Sequence, residues 1–260
     1  MENDNSENNG WQNKQYSYSI IAIISFIVGI IAVVVFTVSG FGYRANIWGL
    51  GPAFKLLKWG AYIGFFGVLV GIIGVYFSRP SKNIKGLSYS VIGLLLSIAV
   101  SGTALFFYHR ATSVPPIHDI STDTVNPPQF EAVLPMRAHW PNKSTYAGPK
   151  TAALQHRFYP DIKPVMLPVQ PGVAYHRSLE AAKEMSWWKI QAADSLAGHI
   201  EATSTIPWFG FKDDVVIRID TTAEGSRVDV RSTSRIGASD IGENARRIRS
   251  YVARLKAVSR

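Results

Sequence analysis

The sequence predicts an α+β membrane protein: three transmembrane helices followed by a small domain with an antiparallel sheet of about four strands and two flanking helices. Three observations predict it. Of the 27 basic and 18 acidic side chains, only 10 lie in residues 1–108 and 35 lie in residues 109–260. The charge-poor part holds three apolar runs of about 20 residues, the length that spans a hydrocarbon core. The charge-rich part alternates apolar and polar residues with a strand period. A hydrophobic share of 47% with 12% aromatics excludes wholesale disorder. The absence of cysteine removes disulfides, thiolate metal sites, a cysteine nucleophile and a lipidated anchor together, and leaves the redox compartment open.

Residues 1–18 are Asn-rich and read as a disordered tail. They carry Glu2, Asp4 and Glu7 against Lys14, and no small-x-small site follows the apolar run, so that run reads as a retained span rather than a cleaved signal. The spans are expected at Ser19–Val38, Trp59–Phe77 and Leu87–Tyr108, within a membrane region of residues 19–110. Lys55, Lys58, Arg79, Lys82, Lys85 and Arg110 stay at their edges. A Lys or Arg at a span centre would cost about 2.5–3.5 kcal/mol, so edge placement is what insertion requires. Tyr43, Trp48, Trp59, Tyr76 and Tyr108 fall near span ends, where amphipathic rings favour the headgroup layer. Arg79, Lys82 and Lys85 crowd the loop from Ser78 to Gly86. That loop is assigned to the cytoplasm, which places the domain in a periplasm-like space outside a cell inner membrane. Gly67 and Gly71 have small-xxx-small spacing, read as packing of the three spans on one another in preference to a dimer face. No ionisable residue sits in mid-span, so nothing marks an ion path.

Residues 112–171 contain 11 of the 14 prolines and are expected to be extended, with residues 111–171 wrapping a core of residues 172–260. Within that core a helix is expected over Gly172–Ser186. Strands follow at Trp187–Ala193, His199–Thr205, Asp214–Asp220 and Arg227–Arg235, and a final helix from Ser239 or Asp240, with Asp240 and Glu243 spaced as a capping box. Alternation puts Val215, Ile217 and Ile219 on one face and Asp214, Arg218 and Asp220 on the other. Pairing Asp220 with Arg227 sets Arg218 opposite Asp229, an attractive register. The charged face of Asp213, Asp214, Arg218, Asp229, Arg231, Arg235 and Asp240 has two readings. It is either an anion site, with arginines gripping phosphate or carboxylate, or a solvated sheet face laced with ion pairs.

The runs Gly210-Phe211-Lys212-Asp213-Asp214 and Asp229-Val230-Arg231-Ser232-Thr233-Ser234-Arg235-Ile236-Gly237, continuing through Ser239-Asp240-Ile241-Gly242 to Asn244, carry a resemblance. The chain resembles the domain of unknown function 1499 family over roughly residues 113–257. The resemblance implies envelope localisation, since many relatives are lipoproteins or membrane-tethered and plant relatives are plastidial; it supplies no reaction. This chain departs from the lipoproteins by using three helices in place of a lipidated cysteine. With the motif in view, Ser232, Ser234, Ser239 and Asn244 join the candidate set, lying where the last strand meets the last helix and its free N–H groups.

Catalytic templates are missing. There is no Gly-x-Ser-x-Gly elbow, phosphate loop or dinucleotide fingerprint, and the six histidines form no metal spacing, so no catalytic residue, cofactor or metal is assigned. The aromatic loop Pro207–Phe211 is read as closing one end of the core. Arg246, Arg247, Arg249, Arg254 and Lys256 are read as a solvated basic helix face, suited next to anionic headgroups. The expected partners are the bilayer and an anionic small molecule or lipid headgroup, with no nucleic acid. The expected function is a membrane-held ligand-binding or envelope-organising module, the alternative being a hydrolase acting on an envelope substrate.

Overall fold

The computed structural model describes residues 17–79 and 84–258; residues 1–16 of the tail expected to be disordered over 1–18, with Lys14, and Lys82 of the charged loop lie outside them, while Ser17 and Tyr18 of that tail form a short strand. The described chain forms two compact units, one of residues up to 42 with 48–104, the other of residues 43–47 with 105 onward.

The first elements are β1 (Ser17–Tyr18), α1 (Ile20–Arg44), α2 (Leu50–Phe77), β2 (Ile84–Lys85) and α3 (Leu87–Ser113), with β1 and β2 paired in parallel; all but the last turns of α1 and α3 belong to the first unit. All three helices are long and apolar enough to cross a membrane, at 25, 28 and 27 residues. At 1.5 Å per residue the shortest reaches about 37 Å. Each outruns the apolar stretch that announced it. α2 begins nine residues before Trp59 and takes Lys55 and Lys58 into its first turns. Helix formation does not stop at the hydrocarbon boundary, and lysine stems reach back to the headgroups. Small residues set the packing. A Cβ on Gly29 would lie 2.7 Å from the Gly93 carbonyl oxygen, and one on Gly71 would lie 2.8 Å from Leu94 Cβ. Gly60 abuts the backbone of Phe36, Gly64 abuts Val100 and Ser101, and Gly67 abuts Ser97 and Val28. The glycine face of α2 is therefore occupied by α1 and α3 of the same chain.

The second unit adds β3 (Asp119–Ser121), α4 (Leu134–Arg137), α5 (Pro149–Phe158), β4 (Val165–Leu167), α6 (Pro171–Lys183), β5 (Trp188–Asp194), β6 (His199–Thr205), β7 (Lys212–Thr222), β8 (Gly225–Ser234) and α7 (Glu243–Val258). The antiparallel order is β3-β8-β7-β6-β5, with β4 also on the outer edge of β8. The register sets Asp220 opposite Arg227 and Arg218 opposite Asp229, as charge matching predicts. The sheet has six strands, not about four. β3 pairs with Arg231–Thr233 and β4 with Ser226–Val228, and three residues are too few to display a period of two.

Two further expectations need correction. The Pro-rich stretch is not uniformly extended: it contains α4 and α5 as well as β3 and β4. Pro135, Pro149 and Pro171 each stand in the first helical positions, where the missing N–H costs nothing and the fixed φ favours the turn. The last helix starts at Glu243, not at Ser239 or Asp240. Before it, Ile241 (φ 50°) and Gly242 (φ 80°) take left-handed conformations, which a β-branched Ile adopts only under constraint.

Val215, Ile217, Val228 and Val230 on the apolar face of the sheet are buried against α6 and α7, which contribute Ala181, Ala245, Ile248 and Leu255. Tyr251 is fully buried there, stacked on Trp188 at 5.7 Å, and donates its hydroxyl to the Ser178 carbonyl at 3.1 Å. In the loop before β7, Phe209 is buried and stacked on Phe211 at 5.0 Å, beside Trp208.

Candidate functional site

The opposite, charged face of the sheet is dry over most of its length and open to water only at its Asp220 end. Residues 122–146 lie across it, and Glu201, Asp214, Asp229 and Arg231 are fully buried. Asp214 is the hub. Its Oδ2 accepts from Arg137 (2.6 Å) and from Arg235 Nε (2.8 Å); its Oδ1 accepts from Thr203 (2.7 Å) and a second Arg235 nitrogen (2.8 Å). Arg137 arrives from α4 and also donates to the carbonyls of Asn142, Lys143 and Ser234, while Arg235 donates to the Met136 carbonyl.

A second pair closes the neighbouring position. Asp119 on β3 receives Arg231 in bidentate fashion at 2.9 and 2.8 Å. The same guanidinium donates to the Pro128 and Ser144 carbonyls and lies 5.0 Å from the Phe130 ring centre and 5.5 Å from that of Tyr146. Burial, together with the Asp119 charge, pushes the Tyr146 phenol up to about 12. Further along β8, Asp229 meets Arg218 (2.9 Å) and Arg227 (2.8 Å), and both arginines also reach Asp123. Glu201 does different work. It accepts the backbone N–H groups of Glu131, Ala132 and Val133 at 2.6–3.0 Å and lies 2.8 Å from His199 Nε2. Burial works to raise its pKa, but His199 and the three N–H donors outweigh that and hold it below the usual carboxylate range.

Strand alternation sends the adjacent carboxylate the other way. Asp213 points to the helix side, where Arg247 binds it at 2.6 Å. There the Ser232 hydroxyl donates to Asn244 Oδ1 (2.6 Å), and the Asn244 amide donates to Ser234 Oγ and to the His118 carbonyl. Ser239 Oγ accepts from the Ile241 N–H. Asp240 caps α7 by accepting the N–H groups of Gly242 (2.8 Å) and Asn244 (2.6 Å). The return half of the expected capping box is absent: Glu243 instead accepts from Arg110 and Arg246, and the Asp240 N–H goes to the Ile117 carbonyl. The expected solvated basic helix face holds for Arg246, Arg249, Arg254 and Lys256, which are exposed, the three arginines pairing at the surface with Glu243, Asp161 and Glu184; Arg247 departs from it and is buried.

Burial raises the Asp240 carboxyl to about 6, against the pull of the Asn244 and Gly242 N–H groups. A carboxyl whose folded pKa lies above its unfolded value of 3.8 binds the extra proton in the folded state, so this contribution to stability is full below 3.8 and lost as pH rises through about 6. Asp240→Asn is expected to remove that slope. Thermal unfolding of both proteins across this pH window checks it, and parallel curves would refute it.

The candidate set is thus split by the sheet. Asp214, Arg218, Asp229, Arg231 and Arg235 share the face under residues 122–146, whereas Asp213, Ser232, Ser234, Asp240 and Asn244 meet at the start of α7 with Ser239 in the turn. Sequence reasoning missed Asp119, Asp123 and Arg137, which lie in the Pro-rich stretch without a periodic signal, and it placed Arg247 in solvent. Alternation along His199–Thr205 puts Glu201 on the polar face, opposite Ile200 and Ala202, but nothing in the sequence marks its three backbone donors. On the charged face Asp119, Asp123, Asp214, Asp220 and Asp229 meet Arg137, Arg218, Arg227, Arg231 and Arg235, equal in number.

Residues 119–255 match the family model described as protein of unknown function (DUF1499). The crystal structure of protein CV1439 from Chromobacterium violaceum is similar at 11% identity over 36% of this chain and 92% of that one, with a TM-score of 0.24. No curated protein matches the chain.

Proposed function

We propose that this chain, which belongs to the DUF1499 family of proteins of unknown function, is a membrane-held, non-catalytic module. In this reading its domain lies on the outer side of a cell inner membrane and binds or organises envelope components. One observation carries the reading: the acids and arginines of the motif are consumed by one another. Asp214 is saturated by Arg137, Arg235 and Thr203, and Arg231 by Asp119 and two carbonyls. A general base needs a free lone pair within reach of substrate, and an anion site needs donors not already spent on protein acceptors. Neither is left around Asp214, Arg231 and Arg235. The network therefore serves as a frame that fastens residues 119–146 across the sheet and keeps the outer surface rigid.

The test has two arms. A phosphatase reporter fused to the C-terminus is expected to be active outside the membrane; activity of a cytoplasmic reporter alone would reverse the placement. Native mass spectrometry of the chain released from its own membranes is expected to show a retained small molecule of constant mass. Conversion of that molecule over time would establish an enzyme instead, and a chain that always flies bare would remove the binding role.

A further inference from the structure

The ends of α1 and α3 belong to the second unit, which takes in residues 43–47 and those from 105 onward. Within that unit the loop between β6 and β7 holds both ends. The Tyr43 ring lies 6.2 Å from that of Phe209 and 5.6 Å from that of Phe211, Arg44 donates to the Pro207 carbonyl, and the Phe107 ring lies 6.3 Å from that of Trp208. Gly210 (φ 70°) allows this approach, since a Cβ there would stand 2.9 Å from Arg44 Cγ. Further along α3, Arg110 donates to the Ile241 carbonyl at 2.8 Å, just before α7. These contacts gather at one end of the sheet, where β6 finishes at Thr205, β7 starts at Lys212 and β8 finishes at Ser234.

Trp187 stands at the same end, its carbonyl accepting the Thr205 N–H. It is 68% exposed and holds a left-handed backbone (φ 69°), whereas Trp188 beside it turns inward to stack on Tyr251. A bulky residue keeps such a conformation only where its surroundings impose it, and strain of this kind gathers at functional surfaces. An indole displayed to water gains nothing there, but the headgroup layer favours its apolar body and its N–H together. We propose that this end of the domain lies in the headgroup layer of the bilayer, with Trp187 and Pro207–Trp208 set among the headgroups and the exposed Arg44 and Lys212 turned to lipid phosphate. Continuity selects the partner: the loop that carries Trp208 is fastened to the ends of two helices long and apolar enough to cross a membrane, so lipid is what it meets first.

This inference rests on the membrane-held reading and adds the face that meets lipid. The test uses the full chain, free of native cysteine, in nanodiscs of phosphatidylcholine and phosphatidylglycerol. A nitroxide is attached in turn at Trp187→Cys, at Pro207→Cys, at Leu196→Cys in the 99% exposed turn at the other end of the sheet, and at Leu69→Cys, exposed midway along α2. The ratio of oxygen to nickel-chelate collisions at positions 187 and 207 is expected to exceed that at 196 by about threefold or more, and to stay below that at 69, as residence in the headgroup layer requires. A ratio at 187 or 207 equal to that at 196, with 69 immersed, overturns the inference and leaves the spans standing. Shielding of both positions from oxygen and nickel alike would mean a protein cover and overturns it too. A label at 69 no more immersed than that at 196 removes the membrane-held reading and this inference with it. If Trp187→Cys disturbs folding, the exposed neighbour Ser186→Cys takes its place with the same expected ratio.

Discussion

Asp214→Ala is expected to destabilise the domain by about 3–5 kcal/mol, the range for removing one partner of a buried ion pair. The Asp214 side chain is fully buried, and those of Arg137 and Arg235 are only 3% and 4% exposed. Truncation removes four accepted hydrogen bonds and leaves two guanidiniums without a counter-charge, in a place where water cannot replace the carboxylate. Because Arg137 is the contact through which α4 reaches β7, loosening should extend to residues 131–146 before the rest of the sheet. The matched control is Asp220→Ala. Asp220 also pairs with an arginine, Arg218 at 2.8 Å, but its side chain is 49% exposed, so the loss should be about 0–1 kcal/mol. Thermal unfolding of the full chain in detergent, with hydrogen exchange over residues 131–146, measures both. Equal losses for the two variants would mean that the hub carries no special weight.

The contrast between these two aspartates also marks what could be read from sequence. Both lie on β7, on the face opposite Val215 and Ile217, and alternation alone gave that. It gave the β7–β8 register too, because only one pairing sets Arg218 against Asp229 and Asp220 against Arg227. It could not tell that one end of this face is wet and the other dry. The difference is made by residues 119–146, whose prolines erase periodicity and whose strand β3 is three residues long. Arg137 and Asp119 therefore carry no signal in the sequence, and neither reading of the charged face, anion site or solvated ion-paired surface, includes the cover that buries most of it. The same blindness applied to Arg247. On a helix wheel it belongs to a basic run, yet it lies over Asp213, a residue that the odd–even alternation of β7 had already sent to the helix side. Combining the two patterns would have found the pair. The membrane helices were the opposite case, since length and charge exclusion suffice there. Even so, helix ends continued past the apolar runs wherever lysine or arginine could reach water.

In the membrane unit, Gly93→Leu is expected to be the most damaging single substitution. A Cβ at Gly93 would run into the backbone carbonyl of Ser25 and stand 2.6 Å from its hydroxyl oxygen, so α1 and α3 touch through their main chains at this point. No rotamer relieves a clash with backbone; the helices must separate, at a cost of at least about 3 kcal/mol, the upper end for overpacking. Helix association in lipid relies on such close fit, because exposing apolar surface to acyl chains supplies no compensating drive. Gly102→Leu on the same helix is the control: its Cβ would meet nothing within 4 Å, and the variant should pack normally. The absence of cysteine makes the readout clean. Ser25 and Ser90, whose side chain and carbonyl meet at 3.4 Å across α1 and α3, can be replaced by cysteines to report the contact through disulfide formation. Rapid crosslinking is expected in the Gly102→Leu background and strong loss in Gly93→Leu. Equal crosslinking in both would show that the small residues at this crossing are dispensable, and that the three helices are held together by something other than the approach of their backbones.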